Sequence, residues 1–467
     1  MCIIDCLSTI VFILPLHLDY TKVIILILWW RTFQLEYWRT FQLVSTDMER
    51  IIELNQEDKR VYPLSHSEGV LLSNTSEISL FESIYGLKDM VKLFSGSDIT
   101  DFSNTTWIKD TDGIKATNTG SGNYLKIDKD YFCDIRHVRM KLHLGSDNRL
   151  ILAFASKGIG KGVVPSTFYV DMSTQKLGMY KLTGPLAYAE SVSDEIWGET
   201  GFSDSFGSGE YVIDIIKNGR TNILRLTSYL SGRSTEIICD DTVWSVGAQN
   251  GPLYVYLDKG SDMPIIRYID ICTLKEPDVV FVGDSITEGF CVEDLRYRVA
   301  ELFRTEHPNH KVMIAARGGC TIEAILQRFS TEFDIYRPKR MVVNIGANGG
   351  NSTGLFNTLK QRCDAIGCKL YLCYNVCYTS AVEERKHQYV NAMIESWSAE
   401  NGIIGARYDI ATALGNNPVN DESQLPDESL FSRNTQPYNL HPNQAGQIEM
   451  YRRLSIDLPD LFYCIVG

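Results

Sequence analysis

Val279-Val280-Phe281-Val282-Gly283-Asp284-Ser285-Ile286-Thr287-Glu288-Gly289 is the stretch on which the reading of this chain turns. Val279–Val282 is a short, uninterrupted apolar run, the pattern of a strand buried on both faces. It stops at a glycine and sets a serine hydroxyl at a strand-to-helix turn. A helical face follows at Val292, Leu295, Val299, Leu302 and Phe303. The alternation then repeats. Val312–Ala315 precedes a helix through Ile322, Ile325, Leu326 and Phe329. Met341–Ile345 precedes one through Leu355, Leu359, Cys363 and Ile366, and Leu370–Tyr374 one through Val390, Met393, Ile394 and Trp397. Ile403–Tyr408 is the last expected strand and Gln444–Leu454 the last helix. Strands alternating with helices predict an α/β domain over 276–467, its parallel sheet covered on both faces. Ligands of such sheets sit beyond the carboxyl ends of the strands, so those loops matter most.

Four groups of residues stand in those loops: Ser285 after the first strand, Gly318-Gly319 after the second, Gly346-Ala347-Asn348-Gly349 after the third, and His441 in Tyr438-Asn439-Leu440-His441-Pro442-Asn443 before the last helix. Taken singly, each reads as a turn, a cap or a surface histidine. Taken together, one per βα unit and all at the same edge, they resist that explanation. His307, in a second His-Pro-Asn, follows a helix and precedes a strand, which places it at the opposite edge. Topology rejects it.

Over most of Glu276–Phe462 these blocks, in this order, resemble the SGNH (GDSL-like) hydrolase family, and among its members the carbohydrate esterases and acetylesterases in particular. The resemblance implies a flavodoxin-like three-layer domain, with Ser285 as nucleophile and His441 as general base. It also implies an oxyanion hole made by the N–H groups of Ser285 and Gly319 and by the Asn348 amide, with Gly318 the neighbouring alternative to Gly319. Loss of one such donor typically costs ~3 kcal/mol of transition-state stabilisation. The chemistry implied is acyl transfer to water through an acyl-enzyme, with no metal or organic cofactor. Two positions depart from the family pattern. Tyr438 stands where an aspartate orients the histidine, and Gly349 stands where an aspartate follows the asparagine. Three consequences of Tyr438 are open: another acceptor, such as a backbone carbonyl, Asp427 or Glu428, supports His441; the site works slowly as a Ser–His dyad; or catalysis is lost.

Ahead of this domain the period changes to two. Ile135, Val138, Met140 and Leu142, then Leu150–Phe154, Phe168–Val170, Tyr211–Ile216, Asn222–Leu226, Glu236–Cys239 and Pro252–Leu257 read as short strands. Turn-forming clusters at Asn118–Asn123 and Ser203–Gly209 punctuate them. They predict an all-β, sandwich-like domain over 96–272, of the kind that binds carbohydrate beside glycan-active enzymes. Trp107, Trp197 and Trp244 are its stacking candidates, against the plainer reading of core tryptophans. Lys275-Glu276-Pro277 reads as a linker. Residues 48–95 read as a small adaptor. Within it Val61–Ile84 loosely resembles N-terminal segments of some bacteriophage tail and appendage proteins. In 1–47, Leu7–Leu18 and Val23–Trp30 are apolar, but neither reaches the ~20 residues that span a bilayer. Trp-Arg-Thr-Phe-Gln-Leu occurs at Trp30–Leu35 and again at Trp38–Leu43, as in translated upstream DNA. The expected natural start is Met48, and membrane association is expected only if 1–30 is a real anchor.

The 467-residue chain has a globular composition, 44% hydrophobic and 22% charged. Its net charge of −13 excludes non-specific nucleic-acid binding, which depends on neutralising phosphates. Its twelve cysteines lack zinc-type CxxC pairs and read as buried, reduced thiols. That suits folding in a cytoplasmic setting, while a glycan substrate would favour an extracellular, virion or cell-surface destination. The function expected is hydrolysis of short-chain esters, foremost O-acetyl groups on a carbohydrate. Two alternatives stand beside it: a non-catalytic glycan-binding or appendage protein on a degenerate SGNH scaffold, and a lipase- or thioesterase-type enzyme.

Overall fold

The computed structural model describes residues 90–127, 129, 131–154, 166–180, 196–202, 206–240, 251–378, 381–432 and 441–462, with four short strands before residue 62. Those four form two hairpins, Thr9–Pro15 with Val23–Trp29 and Leu54–Gln56 with Lys59–Val61. They lie in a unit, Met1–Ile78, separate from Ser79–Gly467. Among the described residues no helix is long and apolar enough to cross a membrane. Most of the adaptor, together with Trp244, the side chain of Trp197 and the Tyr438 loop, lies outside the described residues.

The strands of this region, the expected ones joined by others, pair antiparallel in two sheets. In one, Ser234–Asp240, Thr221–Ser228, Gly209–Asn218, Ile135–Leu144 and Ile265–Leu274 lie side by side. In the other, the run is Ile196–Gly201, Lys176–Tyr180, Ser166–Asp171, Arg149–Phe154 and Leu253–Lys259. Alternate residues point inward. Val138, Met140 and Leu142 of the first sheet share a buried cluster with Leu150, Leu152 and Val170 of the second, the arrangement of a sandwich. Trp107 is 3% exposed and donates its indole N–H to the Asn123 carbonyl, so it belongs to this core and not to a stacking platform. Met90–Gly96 pairs along Ile265–Leu274, so the sheet takes in residues ahead of the expected start at 96.

The connection into the second half is stiff. Glu276 adopts a left-handed φ of 48° and its N–H donates to the Tyr336 carbonyl. The parallel sheet that follows comprises β1 (Val279–Gly283), β2 (Val312–Ala316), β3 (Arg340–Asn344) and β4 (Lys369–Cys373), ordered β2-β1-β3-β4. The last expected strand is corrected to a single bridge, Tyr371 to Ile404. Gly405 lies so close to Leu372 that a Cβ would collide with its carbonyl oxygen, and Tyr408 already begins a helix, Tyr408–Thr412. Helices α1 (Ser285–Glu288), α2 (Val299–Glu306), α3 (Ile322–Gln327), α4 (Thr353–Ala365), α5 (Ala381–Asn401) and α6 (Gln444–Asp457) complete the domain. Val280, Val282, Met341 and Val343 pack with Ile325, Leu359 and Ile394 on one face. Val279, Phe281 and Val342 pack with Phe303, Met450 and Leu454 on the other. That is the three-layer α/β arrangement.

The outer edge of β2 is not left open. Asp134, from the sandwich half, donates its N–H to the Ile314 carbonyl (2.8 Å) and accepts the Ile314 N–H on its carboxylate (2.7 Å). Arg304 of α2 donates to the same carboxylate (2.6 Å). Beside it Phe132 donates its N–H to Glu332, which is fully buried and paired with Arg328 (2.6 Å), and the Arg328 guanidinium lies 3.9 Å from the Phe132 ring centroid. An exposed edge strand invites pairing with other chains, and here the preceding domain occupies it. Asp134→Ala would leave the Ile314 N–H without its acceptor and Arg304 with Glu301 as its one remaining carboxylate among the described residues. We expect a loss of about 3 kcal/mol, read as a lower midpoint in urea unfolding; an unchanged midpoint would count against this role.

Candidate active site

β1 is buried along its length and delivers its end to the middle of the sheet edge. Gly283 is required there because a Cβ would stand 2.5 Å from the Asn344 carbonyl oxygen and overlap the Thr287 hydroxyl. Asp284 caps the short helix α1, its carboxylate accepting the Ile286 N–H (3.0 Å). Gly289, at φ 92°, stops the helix after one turn. Ser285 is therefore the first helical residue, a position whose N–H has no intrahelical acceptor.

The second loop distinguishes its two glycines. The Gly318 N–H donates to the buried Glu288 carboxylate (2.7 Å). The Gly319 N–H has no partner among the described residues, and the residue is exposed, at a left-handed φ of 77°. In the third loop the Asn348 amide donates to Asp284 (3.1 Å) and to the Cys320 carbonyl (3.3 Å). Both amide hydrogens are thus engaged, and acting on an oxyanion would require Asn348 to release one of them. Burial pushes the Asp284 carboxyl up to about 7, while the Ile286 N–H pulls the other way.

His441 reaches the serine from the far end of the chain. Its Nε2 lies 2.8 Å from Ser285 Oγ. Its backbone is held by the Ser432 N–H, which donates to the His441 carbonyl (3.0 Å). Asn443 caps α6 by accepting the Gly446 N–H (3.0 Å). Gln447, 1% exposed, then joins α6 to the serine loop: it donates to the Ile286 carbonyl (3.0 Å) and accepts the Val299 N–H (3.1 Å). This residue escaped the sequence reading. Its signal was a glutamine sharing a helical face with Met450 and Leu454, where an apolar residue would be usual.

The other imidazole nitrogen, Nδ1, has no hydrogen-bond partner among the described residues. Asp427 caps the Glu428–Leu430 turn, accepting from the Ser429 N–H (3.0 Å) and hydroxyl (2.6 Å), and Glu428 is exposed. Neither proposed acid therefore reaches the ring. The 433–440 segment carries no aspartate or glutamate at all. Burial without a charged partner lowers the His441 pKa to about 4. His307 lies away from this edge, packed against the rings of Phe303 and Phe462. The cysteines proposed as thiols, Cys363, Cys368, Cys373 and Cys377, are buried and stand outside any disulfide.

The sequence model of the GDSL-like Lipase/Acylhydrolase family matches residues 281–447. No curated protein matches the chain. Among solved structures, similar chains include a GDSL-like lipase from Bacteroides thetaiotaomicron (20% identity, 39% of this chain and 87% of that one, TM-score 0.29). Others are the acetyl xylan esterase AlAXEase (18%, 38% and 96%, 0.32) and the psychrotrophic esterase EstA from Pseudoalteromonas sp. (15%, 39% and 97%, 0.31). At these identities and scores the likenesses carry no argument about activity.

Proposed function

Because residues 281–447 form a domain of the GDSL-like lipase/acylhydrolase family, we propose that the chain is a serine esterase acting on short acyl groups, foremost O-acetyl groups on a carbohydrate. One observation carries the reading: a hydroxyl and an imidazole 156 positions apart in the chain lie 2.8 Å from each other at the carboxyl edge of a parallel sheet. The N–H groups of Ser285 and Gly319, unpartnered among the described residues, are the donors we assign to the oxyanion.

His441 Nε2 takes the Ser285 proton as Oγ bonds to the ester carbonyl carbon. The carbonyl oxygen gains a negative charge, which the Ser285 and Gly319 N–H groups, with a released Asn348 hydrogen, stabilise. The tetrahedral species collapses, the C–O bond to the alcohol breaks, and His441 passes its proton to that oxygen. Water repeats the sequence on the acyl-serine, freeing the acid and restoring the hydroxyl.

An acetyl group needs only a small acyl pocket, and a sandwich domain on the same chain would raise the local concentration of a polysaccharide. The test is a panel of esters. Acetate release from O-acetylated xylan or a bacterial capsule, with p-nitrophenyl acetate turned over at least tenfold faster than the palmitate ester, is the expected result. The reverse preference would make the enzyme a lipase. That His441 Nδ1 has no hydrogen-bond partner among the described residues favours one other reading, a glycan-binding protein without turnover. Glycan binding with no hydrolysis of any ester in the panel would establish that reading in place of ours.

A further inference from the structure

We propose that Phe290 is a positioning residue for His441, holding the imidazole in the place usually fixed by a carboxylate; the inference rests on the esterase reading of this site. The two rings meet edge to face, with centroids 4.3 Å apart and planes at 73°. The backbone is shaped to achieve this contact. Phe290 lies between Gly289 at φ 92° and Cys291 at φ 67°, and the second is a left-handed conformation that side-chain-bearing residues rarely adopt. The Phe290 N–H donates to the carbonyl of Ser285 (2.8 Å), so the ring that touches the base hangs from the residue that carries the nucleophile. Phe290, Cys291 and Leu295 form a small buried cluster of their own, which keeps the phenyl ring from swinging away.

An orienting aspartate does two things. It stops the imidazole rotating, and it stabilises the imidazolium formed when the serine proton arrives. Edge-to-face packing does the first and only weakly the second, since a ring quadrupole interacts far less with a cation than a carboxylate does. Carboxylates on neighbouring elements are committed elsewhere. Asp284 binds the Ile286 N–H and the Asn348 amide, Glu288 binds the Gly318 N–H, and Glu293 binds the Gln444 N–H. From Ser429 to Ile448 the chain contains no acid. The arrangement predicts a base that is well aimed and weakly basic.

The experiment uses the full chain with Phe290→Leu and Phe290→Tyr, assayed on p-nitrophenyl acetate across pH 3.5–9. Phe290→Leu should lower kcat about tenfold with KM within about twofold. It should also move the acid limb of kcat/KM upward, toward the ordinary imidazole value, as the loosened ring meets water. Phe290→Tyr, which keeps the aromatic edge, should restore kcat to within about threefold of the parent. Wild-type kcat and limb in Phe290→Leu, or a Phe290→Tyr as slow as Phe290→Leu, would overturn the proposal. If Phe290→Leu fails to fold, Phe290→Met serves as the ringless variant. Should the parent hydrolyse no ester, the esterase reading falls, and the contact is judged separately by nitrogen-15 NMR of labelled histidine, with His441→Gln identifying the resonance. A His441 titration midpoint unmoved by loss of the ring would then reject it.

Discussion

Ser285→Ala is expected to lower kcat for a short-chain aryl ester by roughly 10⁴–10⁶-fold, leaving only the residual catalysis of an oxyanion site acting on water. Among the described residues no second hydroxyl is aimed at His441, whose Nε2 has Ser285 Oγ as its partner at 2.8 Å. The Ser285 backbone N–H survives the substitution, so the helix start and its share of the oxyanion hole persist. The mutant should therefore melt within a few degrees of the parent and still bind substrate. Steady-state turnover together with a thermal melt checks both halves. Retained activity in a folded Ser285→Ala protein would end the assignment of the nucleophile.

His441→Ala should cost roughly 10³–10⁵-fold in kcat, and the parent's own pH profile should report what surrounds the imidazole. Only the neutral ring accepts the serine proton. Burial without a charged partner lowers its pKa to about 4, so the neutral form is lost only as pH falls through that value. As far as the imidazole sets it, the rate should stay level from about pH 8 down to about pH 5 and decline below. An orienting carboxylate would stabilise the imidazolium and place the same limb near or above the ordinary histidine value. A limb near 7 in kcat/KM that persists in Asp284→Asn would thus reveal an acid beside His441, since Asp284, raised to about 7 by burial, is the other group that titrates there. The weaker base implies a slower enzyme that tolerates acid.

Much of this was legible in the chain because it is local. An unbroken apolar strand, a glycine, a serine and the start of a helix lie within Val279–Gly289, and each βα unit repeats that logic within a few tens of residues. What stayed hidden depends on distant contacts. The helical face expected from Val292 begins only at Val299, because left-handed Gly289 and Cys291 turn the backbone away and leave 289–294 as the loop that carries Phe290. The strand Ile265–Leu274 was missed because a bulge at Arg267, passed over between the pairs Lys141–Tyr268 and Leu142–Ile266, breaks its period of two, and Lys176–Tyr180 because Gly178 interrupts it. That glycine admits the Tyr169 ring, a fact with no trace in the local sequence. Asp427 and Glu428 were reasonable substitutes for the missing acid by proximity in sequence. The turn at Glu428–Leu430 engages the first and leaves the second in solvent.

The Asp134 and Phe132 contacts on β2 bear on how this protein could be dissected or recombined. Phe132 also lies 4.9 Å beneath the guanidinium of Arg317, the residue immediately before the glycine pair of the oxyanion loop. A fragment cut at residue 276 would carry every group we assign to the ester chemistry, yet it would expose a raw strand border and lose the floor under the Arg317 loop. Such a piece should clump on expression, and the catalytic half should travel through gene shuffling only in company with its β-rich neighbour.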